Sequence, residues 1–195
     1  MAASVVAICN QALALLGADR ITDLGDDSQP ARLCSVFYEP SRDAVLRAYP
    51  WNFAIRRAGL AALTTTPAWG HDLEYQLPEG PSPEYCLRVL DVYLADERNE
   101  PWKVEGRKIL TSLTAPLYIS YVARIEDPAQ FDALFVKALA ARLAMELAYP
   151  ITASSSMLDL VSRLYTQSLN EARVTDAQES SPETVSATDW LDVRL

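Results

Sequence analysis

The chain has 195 residues, half of them hydrophobic and 22% charged, with a formal net charge of −9. That length and apolar content suit one domain with a real core, with or without a subdomain, and they exclude disorder throughout. Because the acidic balance comes with no long basic run, counterion release against phosphates cannot supply the main affinity, which excludes a dedicated DNA clamp.

The opening "MAASVVAICNQALALLG" lacks a basic leader, and Asn10 and Gln11 interrupt its apolar run. It therefore reads as neither signal peptide nor membrane span, and synthesis in the cytosol is expected. Ser4 is placed to cap a first helix whose apolar face is Val5, Ile8, Ala12, Leu13 and Leu16, with Gly17 at the left-handed C-cap. After the loop "ADRITDLGDDSQP", Asp27 or Ser28 caps a second helix opened by Pro30, with Ala31, Cys34, Tyr38, Val45 and Ala48 on one face. Pro40 interrupts that face, but the pattern continues in phase, so a kink is expected more than a stop. Pro50 ends the helix and also suits the first position of a short third helix, from Trp51 to about Leu63. On that reading Pro50, Trp51 and Phe53 form a structural corner, leaving Arg56 and Arg57 to pair with acids within or between subunits.

Beyond "TTTPAWG" the apolar period falls to two. "YQLP" (75–78), "CLRVLDVYL" (86–94), "WKV" and "RKILT" on either side of Glu105-Gly106, and "PLYISYVARI" (116–125) read as strands of a small antiparallel sheet. Leu117, Ile119, Tyr121 and Ile125 should share one side, and Glu105-Gly106 should make the tight turn of a hairpin. Asp127 and Pro128 then open the longest apolar helix, "PAQFDALFVKALAARLAMELAYP". Asp132, Arg142 and Glu146 lie on one side of it, but Phe135 and Leu139 fall within the same stripe. Almost no face suits water, so either the helix is a central core element or Phe135, Leu139 and Arg142 contact neighbouring subunits. Ser154 to Ser156 cap a last amphipathic helix with Leu158, Val161, Tyr165, Leu169 and Ala172 inside. Past Ala172, "VTDAQESSPETVSATDWLDVRL" is polar and acidic until Trp190, Leu191, Val193 and Leu195, an apolar group suited to ordering on a partner's groove.

The expected fold class is thus mainly α with an inserted small antiparallel β-subdomain, an α+β arrangement. Residues 1–66 and 127–175 form the two parts of a helical bundle, 67–126 the insertion, and 176–195 an extended arm.

The sequence offers little for catalysis. Neither phosphate-binding glycine motif occurs, and His71, the single histidine, has no nucleophile elbow to serve. Cys9, Cys34 and Cys86 are widely spaced with no CxxC pair, and Cys9 and Cys34 fall on apolar helix faces, so packed thiols are expected in place of metal ligands. Glycoside hydrolysis needs two carboxyls opposed across a sugar. The candidates Asp26-Asp27, Glu97 with Glu100, and Glu126-Asp127 are instead neighbours in loops or caps. No catalytic, metal or cofactor-binding residue is assigned, and no cofactor is expected. Trp51 and Phe53 beside two arginines resemble a single-strand stacking site, yet they sit as core anchors first.

"ICNQALALLGADRITDLGDDSQPARLCSVFYEPSRDAVLRAYPWNFAIRRAGLA" resembles the N-terminal half of the head-to-tail adaptor, or tail tubular protein A, family of short-tailed bacteriophages. The likeness continues through "YQLPEG", "CLRVLDVYL", "VEGRKILT" and "APLYISYVARIEDPAQFDALFVKALAARLAMELAYPIT" to the closing helix. It is most specific at "PWNFAIRRA" and at "YVARIEDPAQFD" with "LAARLA". The resemblance implies a non-enzymatic virion component at the head-tail junction, a helical bundle with an inserted β-subdomain. It further implies a homo-oligomeric ring of roughly twelve subunits beneath the portal protein, carrying the tail nozzle and passing double-stranded DNA without sequence-specific binding or membrane contact. The C-terminal segment, here Trp190, Leu191, Val193 and Leu195, would reach the portal. Pro40 in the second helix and "GPSPEY" before the "CLRVL" strand depart from the family pattern. An acidic wall suits a conduit that must not hold phosphate. The competing readings are a virion-associated polysaccharide or cell-wall hydrolase and a general protein-binding module of the host cell.

Overall fold

The computed structural model describes residues 3–93 and 101–179. Among them are four helices and two three-stranded antiparallel sheets, an α+β fold in which the strands lie between the second and third helices. Helix α1 (Val5–Leu15) begins where Ser4 accepts the Ala7 amide at 3.1 Å, and Gly17 follows it at φ 67°, as the sequence leads one to expect. Asn10 reaches off α1 to bond both backbone groups of Ile21, at 2.8 and 2.9 Å, and so fixes the following loop. Helix α2 (Gln29–Ala48) is capped by Ser28 and runs through Pro40. Pro40 and Val36, the residue one turn before it whose carbonyl loses a helical partner, are both exposed, so water can take the missing bond.

The third helix is not formed. Asn52–Ala54 make a single 3-10 turn, and the chain then enters strand β1 (Ile55–Leu60). Residues 55–60 pair one by one with β6 (Leu117–Ala123), from Ile55 opposite Val122 to Leu60 opposite Leu117. Six paired residues with Gly59 among them, a poor helix former, outweigh the weak local helical preference. The β-region therefore starts inside the stretch assigned to the bundle, at residue 55 and not 67.

The first sheet has the order β1-β6-β3, with β3 spanning Cys86–Tyr93. The second has the order β2-β5-β4, from Leu73–Gln76, Lys108–Thr111 and Trp102–Glu105. One small sheet was expected, and two are found. The β4–β5 turn is Gly106-Arg107, one residue later than the sequence reading, with Glu105 opposite Lys108 and Gly106 at φ 59°.

Asp127 caps only a 3-10 turn, Pro128–Gln130, while Asp132 caps α3 (Ala133–Thr152) by accepting from Leu134 and Phe135 at 2.8 and 3.3 Å. Helix α3 thus starts later than expected and includes Pro150, ending at Ala153 with φ 49°. Ser154 caps α4 (Ser155–Gln178), which continues beyond Ala172 and takes in Asp176, a residue assigned to the extended arm. Helix α3 is the central element: α1, α2 and α4 all pack on it. The buried core is continuous from these helices to Tyr75, Ile109 and Ile119 in the sheets. Among the described residues no helix is long and apolar enough to cross a membrane.

Candidate functional site

The corner predicted at residues 50–53 is where α2, the first sheet and the ends of α3 and α4 meet. Trp51 is 1% exposed, and its indole N–H donates to the Val45 carbonyl at 2.9 Å, so its polar edge is satisfied inside the core. Its ring meets Phe135 edge-on at 5.2 Å and Tyr49 at 5.1 Å. Phe53 lies against Phe135 at 5.0 Å and Phe131 at 6.0 Å. Aromatic rings from two stretches far apart in the chain, 49–53 and 131–135, therefore close on one point, at centroid distances that favour attraction.

What clasps this corner from outside has no counterpart in the sequence pattern. Asp176, in the last turn of α4, accepts the Asn52 backbone N–H with both carboxylate oxygens, at 3.1 and 3.2 Å. In return the Asn52 side-chain amide donates to the Asp176 carbonyl at 2.7 Å. One turn earlier Arg173 donates to the Ala48 carbonyl at 3.1 Å, capping the end of α2, and its guanidinium lies 5.8 Å from the Tyr49 ring centre. Burial pushes the Asp176 carboxyl above its ordinary range, against the opposing pull of the Asn52 bond. Its 124-residue separation from Asn52 leaves no local pattern to detect.

The two arginines part company because they lie on a strand and not a helix. Arg56 turns back, donating to the Phe53 and Ile55 carbonyls at 2.9 and 2.8 Å, so it braces the corner within the chain. Arg57 is exposed, and among the described residues it has no ion-pair partner. It borders a shallow hollow of about 410 Å³ on the first sheet, shared with Gly59, Tyr93 and Tyr118. Tyr93 and Tyr118 are about half exposed there. A Cβ on Gly59 would come within 3.2 Å of the Tyr118 ring, so the glycine lets that ring lie flat across the strand.

The remaining interface candidates are largely taken up by the chain itself. Phe135 and Leu139 are fully buried among its own helices, which leaves neither available to a neighbouring subunit. The apolar stripe on α3 is surplus only until α1, α2 and α4 are placed on it. Arg142 pairs with Glu146 at 2.5 Å along α3, and Tyr165 of α4 lies 5.6 Å from its guanidinium. Trp190, Leu191, Val193 and Leu195 lie outside the described residues, as do Glu97 and Glu100.

A second polar junction also escaped the sequence reading. Asp43 of α2 pairs with Arg42 at 2.9 Å and with Arg124 at 2.8 Å, while the guanidinium groups of Arg124 and Arg107 cover the Tyr85 ring at 4.1 and 4.4 Å. These contacts bind the helical layer to the end of the first sheet.

Of the acids considered for sugar chemistry, Asp26, Asp27 and Asp127 are engaged locally. Asp26 accepts from the backbone and hydroxyl of Thr22 and from the Asp23 amide, which hold its carboxyl below the usual range. Asp27 pairs with Arg32, and Asp127 caps its 3-10 turn. Cys9, Cys34 and Cys86 are free and buried, and burial pushes the Cys86 thiol up to about 11. His71 borders a hollow of about 240 Å³ with Trp69, Glu74 and Glu105. Comparison of the sequence with protein-family models finds no match, and comparison with curated proteins finds none.

Proposed function

We propose that this chain is a structural component of a short-tailed bacteriophage virion, a connector that joins the portal to the tail nozzle and extends the DNA channel. The reading rests on the resemblance of nearly the whole sequence to head-to-tail adaptors. The observation that carries it is the chain order of the fold: helices before and after a β-region inserted between α2 and α3, the arrangement that resemblance implies. The hydrogen-bonded corner built from "YPWNF" supports it further, because the most specific part of the resemblance is also the junction of the layers.

In this role the protein is made in the host cytoplasm and acts in the virion, assembled as a ring. The surface for a neighbour is Arg57 with Tyr93 and Tyr118, in place of Phe135 and Leu139. The hollow there combines a cation that has no ion-pair partner among the described residues with two aromatic rings, residue types enriched in interface hot spots. The net charge of −9 lowers affinity for passing DNA.

The test is to mix purified protein with portal rings and image the product. The full chain should form a ring on the portal, and a chain lacking residues 180–195 should bind poorly. The cut is set beyond Glu179 because removing Asp176 would also open the corner. Equal binding by the shortened chain would sink the docking role of the arm, and absence of any portal complex with the full chain would sink the connector reading.

A further inference from the structure

A groove runs over α3 between α1 and α4. Its floor is Ala140 and Ala141, and Gln11 and Leu15 stand on one wall with Leu164 and Ser168 on the other, enclosing about 310 Å³. A further hollow of about 620 Å³, toward the start of α3, shares Gln11 and Lys137 with it. Together they offer the volume and the largely apolar lining of a peptide-binding cleft.

Ser168 makes this more than an apolar seam. The residue is 2% exposed, and its hydroxyl is buried without a hydrogen-bond partner among the described residues. Such a group is costly to leave without a partner. The groove is also distinct in charge from the chain around it. Lys137 is its charged lining residue, and no carboxylate lines either hollow among the described residues, although the chain as a whole is strongly acidic. Lys137 reaches Glu171 at 2.8 Å beyond the rim, which still leaves ammonium donors for an incoming acid.

We infer that the occupant of this groove in the unassembled protein is the chain's own segment 180–195. Its sequence, "SSPETVSATDWLDVRL", places Glu183, Asp189 and Asp192 against a single Arg194, and gathers Trp190, Leu191, Val193 and Leu195 at one end. Its carboxylates can take the Lys137 ammonium donors that the Glu171 pair leaves over, and its apolar side chains can fill the groove. The reach is sufficient. From Glu179 back to Ser168 is about 16 Å along α4 at the helical rise, whereas sixteen extended residues span about 50 Å. A segment held this way would be withheld from larger partners until one of them displaced it. The inference stands on the groove and the segment's composition and does not depend on the connector reading.

The experiment uses dilute full-length protein, without portal, carrying benzoylphenylalanine in place of Trp190. After illumination, adducts mapped by mass spectrometry should fall within the same chain on residues 11–15, 137–141 or 164–168. Two changes at exposed positions probe the site without opening the core, Lys137→Glu and Gln11→Trp. With folding confirmed by circular dichroism, each should cut the groove adducts by about fivefold or more, a weakening of about 1 kcal/mol. Adducts on other surfaces, adducts only between chains, or yields unaffected by both changes would overturn the inference.

Discussion

Replacing Trp51 tests whether the corner is the joint that the structure describes. Trp51→Ala removes a side chain that is 1% exposed and edge-packed on Phe135 and Tyr49, and it also removes the donor to the Val45 carbonyl. Large aromatic truncations in a core cost about 3–5 kcal/mol, because transfer energy and cavity formation add. For a domain of this size about 4 kcal/mol corresponds to a drop in Tm on the order of 8–16 °C. It would consume much of the 5–15 kcal/mol typical of a folded domain. Trp51→Phe keeps a ring in the cluster but leaves the Val45 carbonyl without this partner, so its cost should be smaller, about 1–3 kcal/mol. Urea unfolding followed by far-ultraviolet circular dichroism gives both values, provided the slope with denaturant is unchanged. An alanine variant within about 1 kcal/mol of the parent would refute the anchoring argument. A phenylalanine variant as unstable as the alanine one would refute its division between packing and hydrogen bonding.

Asp176 gives a pH signature of defined sign. Its folded carboxyl is raised, so just above the ordinary carboxylate range the folded chain keeps a proton that the unfolded chain has lost, and this group's contribution falls as pH rises through that window. Asp176→Asn, which keeps an acceptor for the Asn52 amide, should remove this contribution. An unaltered difference between variant and parent across pH 4–6 would count against it. Asp176→Ala should cost about 1–2 kcal/mol at pH 7, measured by denaturant unfolding. Arg56→Ala should lower stability by about 1–2 kcal/mol through its two lost carbonyl bonds. Arg57→Ala should leave unfolding within about 0.5 kcal/mol of the parent and instead reduce ring formation in sedimentation or imaging. Gly106→Ala should cost about 1 kcal/mol from its φ of 59° alone, since nothing lies within 4 Å of the added Cβ, and a thermal melt reads it directly.

Much of the corner was legible because its signals are local. Pro50 restricts the residue before it, and Trp51 and Phe53 are too large and apolar to be left in water. Nothing local marks Asp176 as the corner's clasp, for its neighbours read as polar tail and its partner is Asn52, far along the chain. The error over residues 55–60 has a related cause: Trp51 and Phe53 stand at helical offsets from Ala54 and Leu60 and so mimic a helical face, whereas the strand is fixed by pairing with β6. Changing helix to strand then sent Arg56 inward and Arg57 outward.

Taken alone, the sequence determined the capped helix starts at Ser4 and Ser154 and narrowed that of α2 to Asp27 or Ser28, and it determined the tight turn beside Gly106, the passage from helical to strand periodicity, and a net charge that disfavours a DNA clamp. These follow from short-range sterics, hydrogen bonding within a few residues, and composition. Only the tertiary structure decided that Phe135 and Leu139 are used up in the core, that Asp176 holds Asn52, and that α1 and α4 leave a groove over Ala140 and Ala141. The physical reason is that an apolar stripe fixes which face must leave water but not which surface will cover it. That choice depends on packing among elements distant in sequence.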